Sequence, residues 1–330
     1  MSAAQAATPE PLSVMIAIQL LRTVDQMRIG INGTGLVQKA SIDAIRDDAA
    51  AAAADGFHSY WLAEHPTGGF DALTVLSVVG ASVSDIELGT AVIPTYPRHP
   101  MALAGQALTT QTACKGRLCL GIGLSHQVMM AQLGIDFDKP IRHLREFLSI
   151  LMPLLEDGKV KFEGETLSCD AEVFRTNEPK PSVVVAALGP QALRVAGNRT
   201  DGTTLAWVGP KTIEEHIAPS ITEAADKAGR QPPRIIATLP VVVTADPEGI
   251  RARIAKTLTM YAELPSYQAM FKREGVAGPA DLAIAGSVAQ VEDSLACLRE
   301  AGVTDFAASV YATNSDEHLQ TRAILKAANQ

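Results

Sequence analysis

Short apolar runs alternate with amphipathic stretches along almost the whole chain. Eight of the runs have the uninterrupted apolar character of strands that are covered on both faces, and sequence of helical character follows each of them. The predicted strands are Arg28–Ile31, Phe57–Leu62, Ile86–Ile93, Arg117–Ile122, Ser182–Leu188, Thr203–Val208, Ile235–Val243 and Asp305–Val310. Helices are predicted at Ser41–Ala54, Ala72–Ser82, Met101–Ala113, Ile141–Leu155, Gln191–Gly197, Ile213–Ala228, Ile250–Leu264, Val288–Glu300 and His318–Ala328.

This alternation predicts an α/β fold with a parallel sheet, because parallel strands need helical crossovers. Eight strand–helix units in a chain of 330 residues fit a closed (β/α)8 TIM barrel. A doubly wound open sheet of about six or seven strands is the alternative. We expect residues 27–330 to form a single barrel domain and residues 1–26 an N-terminal extension. A polar interruption at Lys159–Phe174 has a turn at Glu163-Gly164-Glu165 and predicts an inserted hairpin.

Composition restricts the classes of partner. The 36 acidic residues outnumber the 28 basic ones and give a formal net charge of −8, which argues against broad electrostatic binding to nucleic acid or an anionic membrane. Pro11–Leu21 is apolar but too short to span a bilayer. The four cysteines show no CxxC spacing, so we expect buried free thiols in a reducing cytoplasm.

Histidines follow three consecutive predicted strands, where a barrel carries its active site. His65 follows the second strand, His99 the third and His126 the fourth. An imidazole that titrates near neutral pH is a natural proton donor or acceptor. His65 and His126 are therefore candidates for proton transfer, although each could equally hydrogen-bond a loop. His99, within Arg98-His99-Pro100, is expected to begin a helix.

Two other kinds of site find little support. There is no HxH after the first strand and no HExxH, so no metal centre is predicted. Gly121-Ile122-Gly123 lacks both the third glycine and the downstream acidic residue of a dinucleotide fingerprint, and we reject that interpretation.

Two turns could bind phosphate. In Leu188-Gly189-Pro190-Gln191 a glycine ends a buried strand and a proline opens a helix, whose first N–H groups are free to meet an anion. An ordinary tight turn fits the same pattern. Ala285-Gly286-Ser287, before the helix at Val288, is a second turn of this kind.

Taken together, these residues resemble the luciferase-like flavin and deazaflavin oxidoreductases over essentially Met27–Ser309. The resemblance is carried by Gly56-Phe57, Trp61-Leu62-Ala63-Glu64-His65, Leu88-Gly89-Thr90-Ala91-Val92, His99-Pro100, Ala107-Leu108-Thr109, Gly116-Arg117-Leu118-Cys119-Leu120-Gly121-Ile122-Gly123, Ala187-Leu188-Gly189-Pro190, Asp201-Gly202, Ala285-Gly286-Ser287 and Ala301-Gly302-Val303-Thr304-Asp305-Phe306.

The resemblance implies a (β/α)8 barrel with the cofactor ring in its mouth, and often a homodimer. It also implies a non-prolyl cis peptide bond after the third strand, which by position is Ala91–Val92. The compact chain and the Gly121-Ile122-Gly123-Leu124-Ser125-His126 ending look most like the subgroup that uses the deazaflavin coenzyme F420 for hydride transfer. FMN, with a monooxygenase activity, is the alternative, and a non-catalytic flavin-binding barrel is a third.

The F420 interpretation assigns roles to particular residues. His65 and His126 would move the proton that accompanies hydride transfer to or from an unsaturated or carbonyl-containing small molecule. Trp61 would either line the ring or belong to the core. Pro265–Pro279, an irregular region with Tyr267, Met270 and Phe271, would cover the mouth or pack outside the barrel. The residues assigned to the cofactor are Glu64, His65, Ala91, Val92, Gly123, Leu124, Gly189 and Pro190.

Two differences from a branch of this family argue against a sugar phosphate as the substrate. The sugar-phosphate dehydrogenase branch that the chain resembles has a glutamate at the position of His126. It also has an aromatic residue shortly after the position of His65, which Thr67-Gly68-Gly69 does not supply. Glucose 6-phosphate is therefore not the expected substrate.

Overall fold

The computed structural model describes residues 27–329, and eight parallel strands among them close into a barrel. Each strand pairs with the next, and the eighth pairs with the first through Arg28 with Asp305 and Ile31 with Ala308. The predicted (β/α)8 barrel is therefore confirmed. The strands are β1 (Arg28–Asn32), β2 (Ser59–Leu62), β3 (Glu87–Thr90), β4 (Leu118–Gly123), β5 (Ser182–Val185), β6 (Gly202–Ala206), β7 (Arg234–Thr238) and β8 (Asp305–Val310).

Helices cover the outside of the barrel and begin at capping residues. Ser41 accepts from the N–H of Ala44 at 3.2 Å, and His99 accepts from Met101 through Nδ1 at 3.2 Å, which confirms that His99 begins a helix. The helices span Ile42–Ala54, Ala72–Ser82, Pro100–Ala113, Gln127–Gln132, Pro140–Glu156, Pro190–Arg199, Pro210–Thr212, Ala218–Lys227, Pro247–Thr257, Thr259–Glu263, Pro265–Glu274, Val288–Glu300 and Ser315–Ala328, with 3-10 turns at Thr34–Lys39 and Pro279–Leu282 and a π-helical turn at Ile213–Ile217.

Two predicted strands are interrupted. β3 ends at Thr90 and pairing resumes at Ile93–Pro94, after a cis peptide bond between Ala91 and Val92 at the expected position. β7 ends at Thr238, and the chain continues as a separate segment, Pro240–Val243. That segment pairs with Ile284–Gly286, a short strand that the apolar pattern did not predict because it is only three residues long.

The predicted hairpin insertion is present as Lys159–Glu163 paired with Ser168–Glu172. Its turn is held by Glu146, whose carboxylate accepts from the N–H groups of Thr166 at 2.7 Å and Leu167 at 3.0 Å. Burial works against the ionised form, but these hydrogen bonds outweigh it and lower the pKa of Glu146 to about 2. The hairpin is thereby tied to the helix Pro140–Glu156.

The middle of the barrel is filled by a layer of inward-facing side chains. The indole N–H of Trp61 donates to Ser59 Oγ at 2.7 Å, and a Cβ at Gly89 would lie 2.1 Å from the Trp61 ring. Glycine at position 89 is therefore required by the size of the indole, and Trp61 is a core residue. The layer consists of Trp61, Cys119, Val184, Ile236 and Ala307.

Paired charges close the barrel at the N-terminal ends of its strands. Arg234, at the start of β7, donates to Glu87 on the opposite wall at 2.7 Å and to Asp305 at 2.8 Å. Arg28 also pairs with Asp305, at 2.6 Å. Burial would raise the pKa of Asp305, but the neighbouring arginines outweigh it and the pKa lies below its usual range. This end is thus sealed by a satisfied ion network.

Three further expectations can be compared with the structure. The four cysteines are free, but only Cys114 and Cys119 are buried, and Cys297 is exposed, so the expectation that all are buried is wrong. The N-terminal extension, residues 1–26, lies outside the described residues. Within residues 27–329, no helix has the length and apolar character needed to cross a membrane.

Candidate active site

The C-terminal ends of the strands carry small inward-facing side chains that are partly exposed; we call these residues the floor and the space above them the chamber. Strand residues alternate in direction, so the next inward-facing position lies two residues beyond the central layer. Seven of these eight positions are partly exposed, although the residues beside them are mostly buried, and the eighth is a buried glycine. The floor residues are Asn32, Ala63, Ala91, Gly121, Ala186, Ala206, Thr238 and Ser309.

The bulge between β3 and Ile93–Pro94 shapes one side of this floor. Gly89 pairs with Cys119 whereas Ile93 pairs with Ile122, so the β3 side contains one extra residue. A Cβ at Gly121 would lie 1.9 Å from the carbonyl oxygen of Thr90. The Gly-Ile-Gly spacing therefore accommodates the bulge, in agreement with the rejection of a dinucleotide motif.

Val92 and Gly123, both predicted to contact the cofactor, pack against each other. A Cβ at Gly123 would lie 2.7 Å from Cγ2 of Val92. Ala91 packs against the central layer, and its N–H donates to the carbonyl of Leu62 at 2.8 Å. Leu124 follows β4 and is partly buried. These residues form a continuous surface beside the chamber.

Glu64 is engaged by protein groups. Both of its carboxylate oxygens accept from Arg98, and one also accepts from the N–H of Ala72 at 3.1 Å. Asp71 accepts from the same guanidinium at 2.5 Å. The backbone N–H of Glu64 donates to the carbonyl of Val92 at 3.3 Å, so Glu64 joins the loop after β2 to the bulge.

The two candidate proton-transfer histidines lie at the same end of the barrel, on strand ends separated by β3. His65 is exposed and His126 is half-buried, and neither ring hydrogen-bonds to any residue within 27–329. Burial lowers the pKa of His126 below its ordinary value, so its imidazole is neutral near pH 7. The ring contacts of His126 are with Tyr261 and Tyr267 rather than with His65.

These rings belong to an aromatic wall, which consists of His126, Trp207, Tyr261 and Tyr267. The Tyr261 ring lies 6.2 Å from His126, 6.5 Å from Trp207 and 5.8 Å from Tyr267, between ring centroids. The region predicted to be irregular is mostly the helix Pro265–Glu274, which buries Tyr267, Met270 and Phe271. Tyr267 of this helix contacts His126, which follows β4, and Tyr261 contacts Trp207, which follows β6, so the helix lies beside the mouth. This agrees with the first of the two interpretations, that the region covers the mouth.

A second ring stack supports the loop after β3. The rings of Tyr96 and His143 are 3.9 Å apart, and a ring nitrogen of His143 lies 3.2 Å from Thr95 Oγ1. Burial lowers the pKa of His143 to about 4, with Glu146 opposing the shift. The sequence indicates no role for His143, and in the structure it is a neutral packing residue.

The two predicted phosphate turns differ. Ser287 caps its helix: Ser287 Oγ accepts from the N–H of Gln290 at 3.4 Å, and the Gln290 side chain accepts from the Ser287 N–H at 2.9 Å, so that helix start is already satisfied. Gly189 and Pro190 are exposed, and no side chain caps their helix. Beside them a groove of about 380 Å³ is lined by Lys139, Pro140, Ile141, Arg142, Arg145, Glu165 and Gln191.

Comparison with known proteins identifies the family. Residues 27–305 match the family model described as luciferase-like monooxygenase. The protein belongs to this family.

Relatives and solved structures include F420- and FMN-associated proteins. The chain is 24% identical over 236 residues to 5,10-methylenetetrahydromethanopterin reductase of Methanolobus tindarius, covering 71% of this chain and 72% of the relative. It is 29% identical over 206 residues to F420-dependent glucose-6-phosphate dehydrogenase of Microbacterium testaceum, covering 58% and 61%.

Two solved structures share the fold. The coenzyme F420-dependent tetrahydromethanopterin reductase of Methanopyrus kandleri has a TM-score of 0.75 at 21% identity, covering 92% of this chain and 98% of that one. The oxygenating constituent of 3,6-diketocamphane monooxygenase of Pseudomonas putida, in complex with FMN, has a TM-score of 0.72 at 17% identity, covering 91% and 97%.

Some chamber residues escape a prediction based on motifs. Thr238 and Ala186 line the floor, and Trp207 and Tyr261 belong to the wall, yet none of them lies in a recognisable motif. Counting every second residue from Trp61 and its equivalents along each strand would have found the floor. Nothing local to Tyr261 indicates its contact with His126, because that contact joins residues 135 positions apart (261 − 126).

Proposed function

We propose that this protein is an F420-dependent oxidoreductase that transfers hydride between the deazaflavin and an unsaturated or carbonyl-containing small molecule. The observation that carries the proposal is the chamber itself. Small side chains leave room for a flat ring, while Thr238 Oγ1 is buried without a hydrogen-bond partner among the described residues and faces the same floor. Relatives described as F420-dependent support the choice of cofactor.

The residues present suit such a cofactor. The surface of Ala91, Val92 and Gly123 would lie against the ring, and the uncapped helix start at Gly189 and Pro190 would receive a phosphate group. When bound, F420 supplies the hydride in its reduced form and accepts it in its oxidised form. The protein then needs to bind the substrate and to move one proton.

We assign that proton to His126, because it is half-buried against Tyr261 and Tyr267 whereas His65 is exposed. In the reduction of a ketone, the carbonyl carbon gains the hydride, the π electron pair moves to oxygen, and the imidazolium of His126 gives that oxygen a proton. The product is an alcohol, and the reverse reaction uses neutral His126 as the base. His65, which follows β2 and is exposed, would act as the alternative proton donor.

Cofactor binding tests the proposal directly. Purified protein is titrated into F420 and, separately, into FMN, and the fluorescence of each cofactor is followed. We expect saturable binding of F420 that is tighter than binding of FMN. Tight FMN binding without F420 binding would contradict the proposal and favour an FMN-dependent monooxygenase, which the FMN-bound structural neighbour makes the second candidate. Oxygen consumption with reduced FMN would then confirm that second function.

The role of His126 is tested through the pH dependence of turnover. Because its pKa is lowered, the imidazolium is a minor form at pH 7, and ketone reduction should quicken as pH falls and level off below that pKa. His126→Gln should lower kcat by about 100-fold or more and remove this pH dependence. His65→Gln is the matched variant, and loss of the pH dependence there instead would transfer the role to His65.

A further inference from the structure

The aromatic wall has polar atoms that no residue of the described chain satisfies. The hydroxyls of Tyr261 and Tyr267, the indole N–H of Trp207 and the ring nitrogens of His126 make no hydrogen bond within residues 27–329. Thr238, whose carbonyl accepts from the N–H of Trp207 at 3.4 Å, adds its own buried hydroxyl without a partner. Of these atoms only the Thr238 hydroxyl is fully buried, and the others keep some accessible surface. Because buried polar groups in folded proteins nearly always have partners, the Thr238 hydroxyl and the unpartnered donors beside it indicate a place for a ligand.

Tyr267 is the most deeply buried member of the wall. It is only 8% exposed, and burial raises the pKa of its hydroxyl, which therefore stays protonated and able to donate. Two other tyrosines, by contrast, have partners: Tyr60 donates to Asp48 at 3.0 Å and Tyr96 to the carbonyl of Asp138 at 2.7 Å. Tyr267 thus differs from them in having a donor with no acceptor from the described chain.

The charge around the wall restricts what the ligand can be. Both cation–ring contacts of residues 27–329 lie elsewhere, with Arg253 over Tyr311 and Arg322 over Phe57. Arg98, a positively charged residue in the loop after β3, is already paired with Glu64 and Asp71 and is not free to bind an anion. Aromatic faces with hydrogen-bond donors at their edges suit an apolar body with a neutral oxygen acceptor, and they do not compensate a phosphate or carboxylate.

We infer that Tyr267 binds the substrate, by donating a hydrogen bond to the oxygen of an uncharged carbonyl compound whose apolar body lies against Trp207 and Tyr261. This inference rests on the proposed function and names the substrate class for it. Tyr267 acts as a specificity-determining residue, and the proton itself is moved by His126, whose ring centroid lies 5.8 Å from that of Tyr267.

The two tryptophans of the chain give a local probe. Trp61 is fully buried in the barrel, and Trp207 is partly exposed in the wall. Iodide will therefore quench mainly Trp207, and a ligand that covers the wall will protect it. Cyclohexanone serves as the neutral carbonyl probe, cyclohexene as its oxygen-free counterpart, and glucose 6-phosphate as the anionic comparator. Protection is measured against probe concentration to give a Kd for each.

Tyr267→Phe removes only the hydroxyl. We expect it to weaken cyclohexanone binding by about three- to tenfold and to leave cyclohexene binding unchanged, as for the loss of one hydrogen bond. Tyr311→Phe, which alters a tyrosine stacked on Arg253 outside the wall, is the matched control and should change neither. Equal weakening of both probes, no weakening of either, tighter binding of glucose 6-phosphate, or no saturable protection by cyclohexanone would overturn the inference.

Binding of F420, followed through its own fluorescence, separates the two proposals. If F420 binds and cyclohexanone shows the Tyr267-dependent protection with the cofactor present, both stand. If F420 binds but the protection is absent or independent of Tyr267, only the substrate inference fails. If F420 does not bind, the proposed function fails, whatever the probe does.

Discussion

The two ends of the barrel differ in whether their polar groups have hydrogen-bond or ion-pair partners. At the N-terminal ends of the strands, Arg234 spans the barrel between Glu87 and Asp305, and Asp305 also pairs with Arg28. At the C-terminal ends the floor residues are small, and the Thr238 hydroxyl and the polar atoms of the aromatic wall lack partners within residues 27–329, although Glu64 and Arg98 are paired there. The ion network at one end is satisfied by the protein, whereas the unpartnered atoms at the other end are those that the proposed ligand would meet.

The difference follows from the geometry of parallel strands. All eight strands run in one direction, so the polar loops that precede helices gather at one end and the strand starts at the other. An ion network at the strand starts can close the barrel without obstructing the mouth. Stability and binding can therefore be altered separately, and substitutions at the two ends should show it.

The largest effect is expected at the closed end. Arg234→Met removes the charge shared by Glu87 and Asp305 and should lower the free energy of unfolding by about 3 kcal/mol, because the buried Asp305 keeps only Arg28 and the partly exposed Glu87 loses its arginine. Urea denaturation followed by circular dichroism measures the change. F420 affinity of the protein that remains folded should be unaffected.

Arg251→Met is the control for this prediction. Among residues 27–329 Arg251 pairs only with the exposed Glu248, so its loss should cost at most about 1 kcal/mol. Equal costs for the two variants would show that the ion network contributes no more than a surface pair. A loss of cofactor affinity in folded Arg234→Met would show that the two ends are coupled.

Periodicity was sufficient to predict the fold and most of its elements. Buried parallel strands must be apolar on both faces, so their positions are visible in the sequence, and strand ends then locate the histidines. The cis bond at Ala91–Val92 came only from the family resemblance, and the structure confirms it. Apolar pattern alone continued that strand to Ile93 without a break.

The features that the sequence did not reveal, a helix at Pro265–Glu274 and the role of Thr238, depend on contacts between distant segments. Pro265–Glu274 contains a proline, a serine and a charged end, and its helix is fixed by burying Tyr267 and Phe271 against the rest of the protein. The same holds for Thr238, since an unpartnered hydroxyl is recognisable only when its surroundings are known. Composition and spacing describe local preferences, and a ligand chamber is a property of the assembled barrel.

A pair of neighbouring alanines after β5 offers an intermediate effect. Ala186 is partly exposed on the chamber floor, and Ala187 is 1% exposed and faces the outer core. Ala187→Leu should overpack the core and cost about 1–3 kcal/mol of unfolding free energy. Ala186→Leu should cost less than about 1 kcal/mol and weaken F420 binding by at least about tenfold, since it fills space in the chamber.

Urea denaturation and cofactor fluorescence measured on both variants decide between these outcomes. If the two substitutions lowered stability equally and neither changed F420 affinity, the floor would be part of the packed core and the chamber would be the wrong site. If Ala187→Leu alone weakened F420 binding, then Ala187 would face the chamber and Ala186 the outer core, the reverse of our assignment.

The smallest effect is expected from two threonines, and its sign is informative. Thr203 Oγ1 donates to the carbonyl of Val185 at 2.8 Å, whereas Thr238 Oγ1 is buried without a partner among residues 27–329. Thr203→Val should therefore cost about 1 kcal/mol, and Thr238→Val should leave stability unchanged or raise it by up to about 1 kcal/mol. Because the hydroxyl of Thr238 is then available only to a ligand, Thr238→Val should also weaken F420 or substrate-probe binding several-fold, which Thr203→Val should not. A loss of stability in Thr238→Val without any loss of binding would mean that the hydroxyl serves the protein itself.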